Sequence, residues 1–188
     1  DSVRYYQRAI DTAVFLGCPK VQISIGSGYF DESSVEVWKR SRENLEIIVQ
    51  YCSKKGVVLL LEELKKMNSN VINTSQQLAN MLREIDSPHL VGMMDIDQMV
   101  CCNETPKDYF TKLGNKLQHI HFNDQGHTVP GDGTYPMRDY FHQILDSGYA
   151  GTCSFEICDK RYFKKPDEAF DKCVKWLQEN TDELNGAE

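Results

Sequence analysis

No apolar run in this sequence approaches the roughly 20 residues needed to cross a bilayer, and nothing in it reads as a membrane span. The opening "DSVRYYQRAI" has no apolar core of the kind a secretory leader needs; it also lacks Met, which reads as a processed or trimmed product. No C-x-x-C pair occurs. Seven cysteines, an odd number, lie scattered and partly within apolar segments. That pattern argues against a disulfide framework or a cysteine-bound zinc and for reduced thiols in a cytoplasmic protein. Basic residues are in deficit, with a formal net charge of -7. A nucleic-acid partner is therefore not expected, because phosphate binding draws its affinity from a basic stripe. The lysines flanking "KKGVVLLLEELKK" surround an apolar strand and do not form one.

The 188 residues, 40% hydrophobic and 26% charged, suit one globular domain with a sizeable core, expected over 1–188. Five short apolar runs read as strands: "KVQISIG" from Lys20, "GVVLLLE" from Gly56, "LVGMMD" from Leu90, "LQHIHF" from Leu117 and "TCSFEI" from Thr152. Helical spacing lies between them, at Val3 to Leu16, Ser33 to Lys55, Thr74 to Ile85, after Thr105, Pro136 to Leu145 and Pro166 to Leu177. Thr105, Pro106 and Asp108 give a cap, a proline at the first helical position and an acid at the third. The closing "TDELNGAE" reads as a frayed tail. Strands alternating with helices specify βα units and a parallel sheet, an α/β fold.

Histidine is scarce, five in all, yet His119, His121 and His127 fall within nine residues. The strand ends explain the concentration. The second run ends in Glu62, the third in Asp95, the fourth passes through His121 and the fifth reaches Glu156. In a (β/α) barrel the C-terminal ends of the strands share one rim, where active sites form. Three carboxylates and an imidazole suit a hard or borderline cation, Mn2+ first, with Mg2+, Co2+ or Zn2+ as alternatives. Taken singly, each residue reads as well as a helix cap or solvated loop residue. Four in register on successive strands point to chemistry. Alternation places His119 with His121 and Asp95 with Asp97; Asp95 directly follows the apolar run and is the preferred ligand. His119 reads as a packed strand histidine, His127 as a surface residue or substrate contact, and "VPGDG" as a turn.

The stretches "LLLEELKKMNSNVINT", "GMMDIDQ", "YFTKLGNKLQHIHFNDQGHTVPGDG" and "ILDSGYAGTCSFEI" resemble the sugar isomerase/epimerase branch of the xylose-isomerase-like TIM barrels, nearest to fructoselysine 3-epimerase and ketose 3-epimerases. The resemblance runs over nearly the whole chain and is less specific for the sugar than for the superfamily. It implies metal ligation by Glu62, Asp95, His121 and Glu156, the set the strand ends select; Glu62 is taken over Glu63 from the distance to the "SN" of "NSNVINT". It further implies ketose 3-epimerisation through an enediolate, with Glu62 and Glu156 as acid and base, or aldose–ketose exchange through the same intermediate. Three positions depart from the pattern. Many relatives carry His where this chain has Gln98 and Glu where it has Asn68, and some carry Arg where it has His127. These are expected to contact substrate, and their change leaves the sugar open.

A full barrel has eight βα units and roughly 250 residues; the five strands here match the family's last five. The fold expected is therefore an incomplete TIM barrel with exposed sheet edges, which favours a homo-oligomer. Activity of these 188 residues alone does not follow. Two other readings remain: a truncated, non-catalytic barrel that associates to cover its edge, and an endonuclease-IV-like metal phosphodiesterase. Five histidines and the acidic charge weigh against the latter, which needs a multi-zinc cluster and a basic face.

Overall fold

The computed structural model describes residues 1–185. Five strands, β1 (Lys20–Ser24), β2 (Val58–Glu62), β3 (Leu90–Asp95), β4 (Leu117–His121) and β5 (Thr152–Ser154), form one parallel sheet in sequential order. Helices α1 (Ser2–Leu16), α2 (Ser34–Lys55), α3 (Ser75–Ile85), α4 (Ile96–Cys101), α5 (Pro106–Leu113), α6 (Met137–Asp146) and α7 (Pro166–Asn185) alternate with them. The result is a curled half-barrel, as the sequence implied, with β1 and β5 as its two edges.

Local chemistry sets the element ends. Ser33 accepts the Glu36 N–H at 3.2 Å and starts α2. Gly56, at φ 70, ends it in the left-handed conformation that glycine tolerates. Asp108 accepts the Thr105 N–H at 2.9 Å, the capping expected for α5. Alternation then separates the two faces of the sheet. Leu59, Leu61, Leu90, Met94 and Ile120 turn outward into the main core beneath the helices. Leu60, Val91 and Met93 turn inward and form a small separate cluster with Val58. Glu62, Asp95 and His121 share parity with these inward residues and sit at their C-terminal ends. Pairing of Asp95 with His121 and of His121 with Ser154 brings the ends level.

Several expectations need correction. The first strand stops at Ser24 and the fifth at Ser154, so Glu156 lies in the segment beyond β5. A helix not anticipated, α4, starts directly after β3 with Asp95 as its N-cap. Asp97 is therefore helical, and the strand alternation assumed for it does not apply. The last helix continues to Asn185 through the region read as frayed; the remainder of that tail, 186–188, lies outside the described residues. No helix among the described residues is long and apolar enough to cross a membrane. All seven cysteines are free.

Candidate metal centre

The fold brings Glu62, Asp95, His121 and Glu156 together, with one ligand atom of each within 4.8 Å of the others. His121 Nδ1 is central. It lies 3.2 Å from Glu62 Oε1, 3.6 Å from Asp95 Oδ2 and 3.1 Å from Glu156 Oε2. Asp95 is fully buried, Glu62 and His121 nearly so, and Glu156 opens to solvent. His121 Nδ1 is nevertheless buried without a hydrogen bond of acceptable geometry. A buried nitrogen without a well-directed hydrogen bond is costly. The same donor set suits a divalent cation with oxygen and imidazole ligands, so the residues present fit such an ion.

The electrostatics agree. Burial opposes a charge on His121, but the contacts with Asp95, Glu156 and Glu62 outweigh it and push its pKa up to about 11. Glu156 is held well below the usual carboxylate range by His121 and His127. Burial would raise Asp95, yet the two histidines bring it below its ordinary value. Protons on the imidazoles thus balance the carboxylates, a role that a cation can take over.

Neighbouring residues fix the donors. Gln22 Nε2 on β1 donates to Glu62 Oε2 at 2.6 Å. Asp95 Oδ1 accepts the Gln98 N–H at 2.9 Å, and Asp95 Oδ2 accepts from Asn123 Nδ2 at 2.7 Å. Asn123 Oδ1 in turn accepts the Asp97 N–H at 3.0 Å. Such partners orient ligands and tune them. Glu63, the rejected alternative to Glu62, is fully buried and accepts the Asp95 N–H at 3.3 Å; burial raises its pKa well above normal. Asp97 binds Lys65 Nζ at 2.9 Å, the Gly126 N–H at 2.8 Å and the Tyr135 hydroxyl at 2.9 Å, with His127 Nδ1 3.6 Å from its Oδ2.

The other expected site residues are placed unevenly. His127 joins the cluster, with Nε2 at 3.1 Å from Glu156 Oε2 and 3.4 Å from Asp95 Oδ2; these carboxylates push its pKa up to about 10. Gln98 is buried, and its amide oxygen accepts the Lys65 N–H at 2.7 Å. Its oxygen therefore fastens the loop after β2. Asn68 lies in an exposed turn, its backbone N–H bonded to Lys65 O at 2.8 Å. His119 sits between the Thr152 and Ser154 hydroxyls at 2.7 and 2.9 Å, and burial lowers its pKa to about 4. It is the packed strand histidine the sequence indicated.

Sequence reasoning missed Gln22, Asn123 and Asp124. Gln22 interrupts an apolar strand, and Asn123 follows His121 at the same parity; both were available signals. Asp124 is fully buried and accepts the N–H groups of Gln125, Gly131, Gly133 and Tyr135 at 2.7 to 3.2 Å. The "VPGDG" turn wraps its backbone around this carboxylate. A side chain at Gly133 would collide with it.

Comparison with known proteins agrees with this architecture. A family model described as "Xylose isomerase-like TIM barrel" matches residues 1–180. Fructoselysine 3-epimerase of Escherichia coli O157:H7 is 33% identical over 163 residues, 84% of this chain and 59% of the relative. The chain thus spans about three fifths of that protein's length. D-psicose 3-epimerase of Enterocloster bolteae is 28% identical over 117 residues, 62% of this chain and 39% of the relative. Among solved structures, L-ribulose 3-epimerase superposes with a TM-score of 0.83 at 19% identity, covering 98% of this chain and 68% of that one. At that identity the likeness speaks for the fold. With a family match over nearly its full length and the site at the C-terminal rim of its parallel sheet, the chain belongs to the xylose isomerase-like TIM-barrel family.

Proposed function

We propose that this chain carries the metal and acid–base half of a sugar epimerase acting on a ketose or ketose derivative at carbon 3. The observation that carries the reading is the convergence of Glu62, Asp95, His121 and Glu156 within 4.8 Å at one rim. Fructoselysine 3-epimerase and D-psicose 3-epimerase among the relatives support the substrate class. Glu62, Asp95, His121 and Glu156 would hold a divalent ion, Mn2+ by preference for oxygen-rich ligands. When bound, such an ion supplies electrostatic stabilisation to the enediolate of a ketose.

The chain's own residues supply the proton movement. Inverting one carbon requires a base on one face of the substrate and an acid on the other. Glu62 ends β2 and Glu156 follows β5, flanking Asp95 and His121 on the two strands between. One carboxylate removes the proton at carbon 3 and the other returns one to the opposite face. Gln22 keeps the Glu62 carboxylate directed into the cluster. Exchange of position between a sugar's aldehyde and ketone would use the same pair. Open edges at β1 and β5 extend the reading to a homo-oligomer that covers them.

Calorimetric titration with Mn2+ tests the reading, on this chain and on Glu156→Gln. Binding in the parent and its loss in the variant support it; no binding in the parent refutes it for this chain. Solvent deuterium entering carbon 3 of a ketose panel then tests the chemistry.

A further inference from the structure

Glu156 also belongs to a second group of donors. Ligand atoms of His127, Glu156 and Cys158 lie within 4.8 Å of one another, with His127 Nε2 3.1 Å from Glu156 Oε2. The three offer nitrogen, oxygen and sulfur. Zinc and similar ions take such mixed sets, three protein ligands leaving one position for water. The first set offers no sulfur.

Backbone geometry fixes the trio. His127 adopts φ 59, a left-handed conformation uncommon for a residue with a Cβ. Its carbonyl accepts the Cys158 N–H at 3.1 Å and the Asp159 N–H at 3.3 Å. Just before it, the Gly126 N–H is held by Asp97 Oδ1 at 2.8 Å. The loop bearing His127 is thus joined directly to the segment bearing Glu156 and Cys158. A site held this way is preorganised. Cys158 is exposed, so a cation reaches the sulfur from solvent.

The geometry points to a site for a thiophilic divalent cation, Zn2+, Cd2+ or Co2+, formed by His127, Glu156 and Cys158 and competing with the four-donor set for Glu156. One oxygen, Glu156 Oε2, lies 3.1 Å from both His121 Nδ1 and His127 Nε2. A hard ion favours the carboxylate-rich set and a softer one the set with sulfur. The thiol binds as thiolate, its proton passing to solvent. The competition rests on the four-donor reading under Proposed function; the site itself rests on the trio. Occupation removes Glu156 from the proposed acid–base pair, so an ion seated in the trio inhibits.

Titration of the chain with Co2+, read as thiolate-to-cobalt charge-transfer absorption, tests the site. The band is expected in the parent, lost in Cys158→Ser and His127→Asn, and retained in Glu62→Gln. In parallel Mn2+ calorimetry, Glu62→Gln loses affinity and Cys158→Ser keeps it. A parent without the band, or a band that survives Cys158→Ser, overturns the proposal. A band lost with Cys158 while the parent binds no Mn2+ upholds this site and refutes the four-donor reading instead.

Discussion

Asp95 serves four partners at once. It caps α4 through the Gln98 N–H, receives a hydrogen bond from Asn123, and presents Oδ2 to His121 and His127. Replacing Asn123 by Ala leaves the donor set complete but frees one side of the Asp95 carboxylate. Loss of an orienting partner of this kind typically lowers metal affinity about 10- to 100-fold. Mn2+ calorimetry on Asn123→Ala is expected to show that drop, and an unchanged affinity would mean that Asn123 holds the fold alone. Asp124 is the contrasting case, since it touches only its own loop. Asp124→Ala strips four backbone N–H groups of their acceptor; those of Gly133 and Tyr135 are half-buried, and a buried donor left unpaired costs about 1–3 kcal/mol. Urea unfolding is expected to register a loss of about 3 kcal/mol or more.

Among the elements, the link between the "VPGDG" loop and α7 is sensitive to acid. Asp132 accepts from the Tyr162 hydroxyl at 2.6 Å and from Lys172 Nζ on α7 at 2.7 Å. Burial works against its charge, but Lys172 and Tyr162 prevail and hold its pKa below the usual value. A depressed carboxylate contributes stability above its unfolded pKa, about 3.9, and loses it as pH falls through the folded value. Protection of the Val129, Gly131 and Asp132 amides, taken relative to their intrinsic exchange, is expected to fall below about pH 4. Asp132→Asn should exchange faster at neutral pH and show a much weaker acid dependence. A pH profile identical in the parent and the variant would remove Asp132 from that role.

The elements also show what the sequence could reveal. Continuous apolar runs such as "VVLLLE" marked β2 and β3, because both faces of those strands are covered. The acid or imidazole closing each run marked the rim. The short α4 escaped notice because its "IDQMVC" has too few residues for a helical period. Its cap, Asp95, looked only like a strand end. Glu156 reaches the cluster from a different element than expected: "TCSFEI" alternates like a strand, but its pairing ends at Ser154. Gln98 and Asn68 were assigned by resemblance. Their surroundings in three dimensions, an occupied amide oxygen and an exposed turn, have no trace in local pattern.

At the level of the whole molecule, the half-barrel leaves the outer edges of β1 and β5 open and large apolar side chains exposed, among them Phe15, Phe30, Phe163 and Phe170. Such edges invite pairing with another chain. Light scattering coupled to size exclusion is expected to show a species larger than one chain; a monomer across the accessible concentration range would contradict that. A bound cation acts on the whole molecule as well. Mn2+ at a hundred times its dissociation constant should stabilise the fold by about 2.7 kcal/mol, visible as a raised melting midpoint that Glu156→Gln lacks.

The distribution of the donors along the chain has a kinetic consequence. Asp95, His121, Asn123 and His127 lie in and just beyond one βαβ unit, whereas Glu62 arrives from the preceding unit and Glu156 from beyond a three-residue edge strand. No cation can be fully held until the last of these has docked. Its stabilisation is therefore absent from a transition state in which that strand is still free, and falls on the unfolding rate. Metal-loaded chains should unfold more slowly while refolding at the pace of the metal-free protein, so the ion acts as a latch closed at the end of folding.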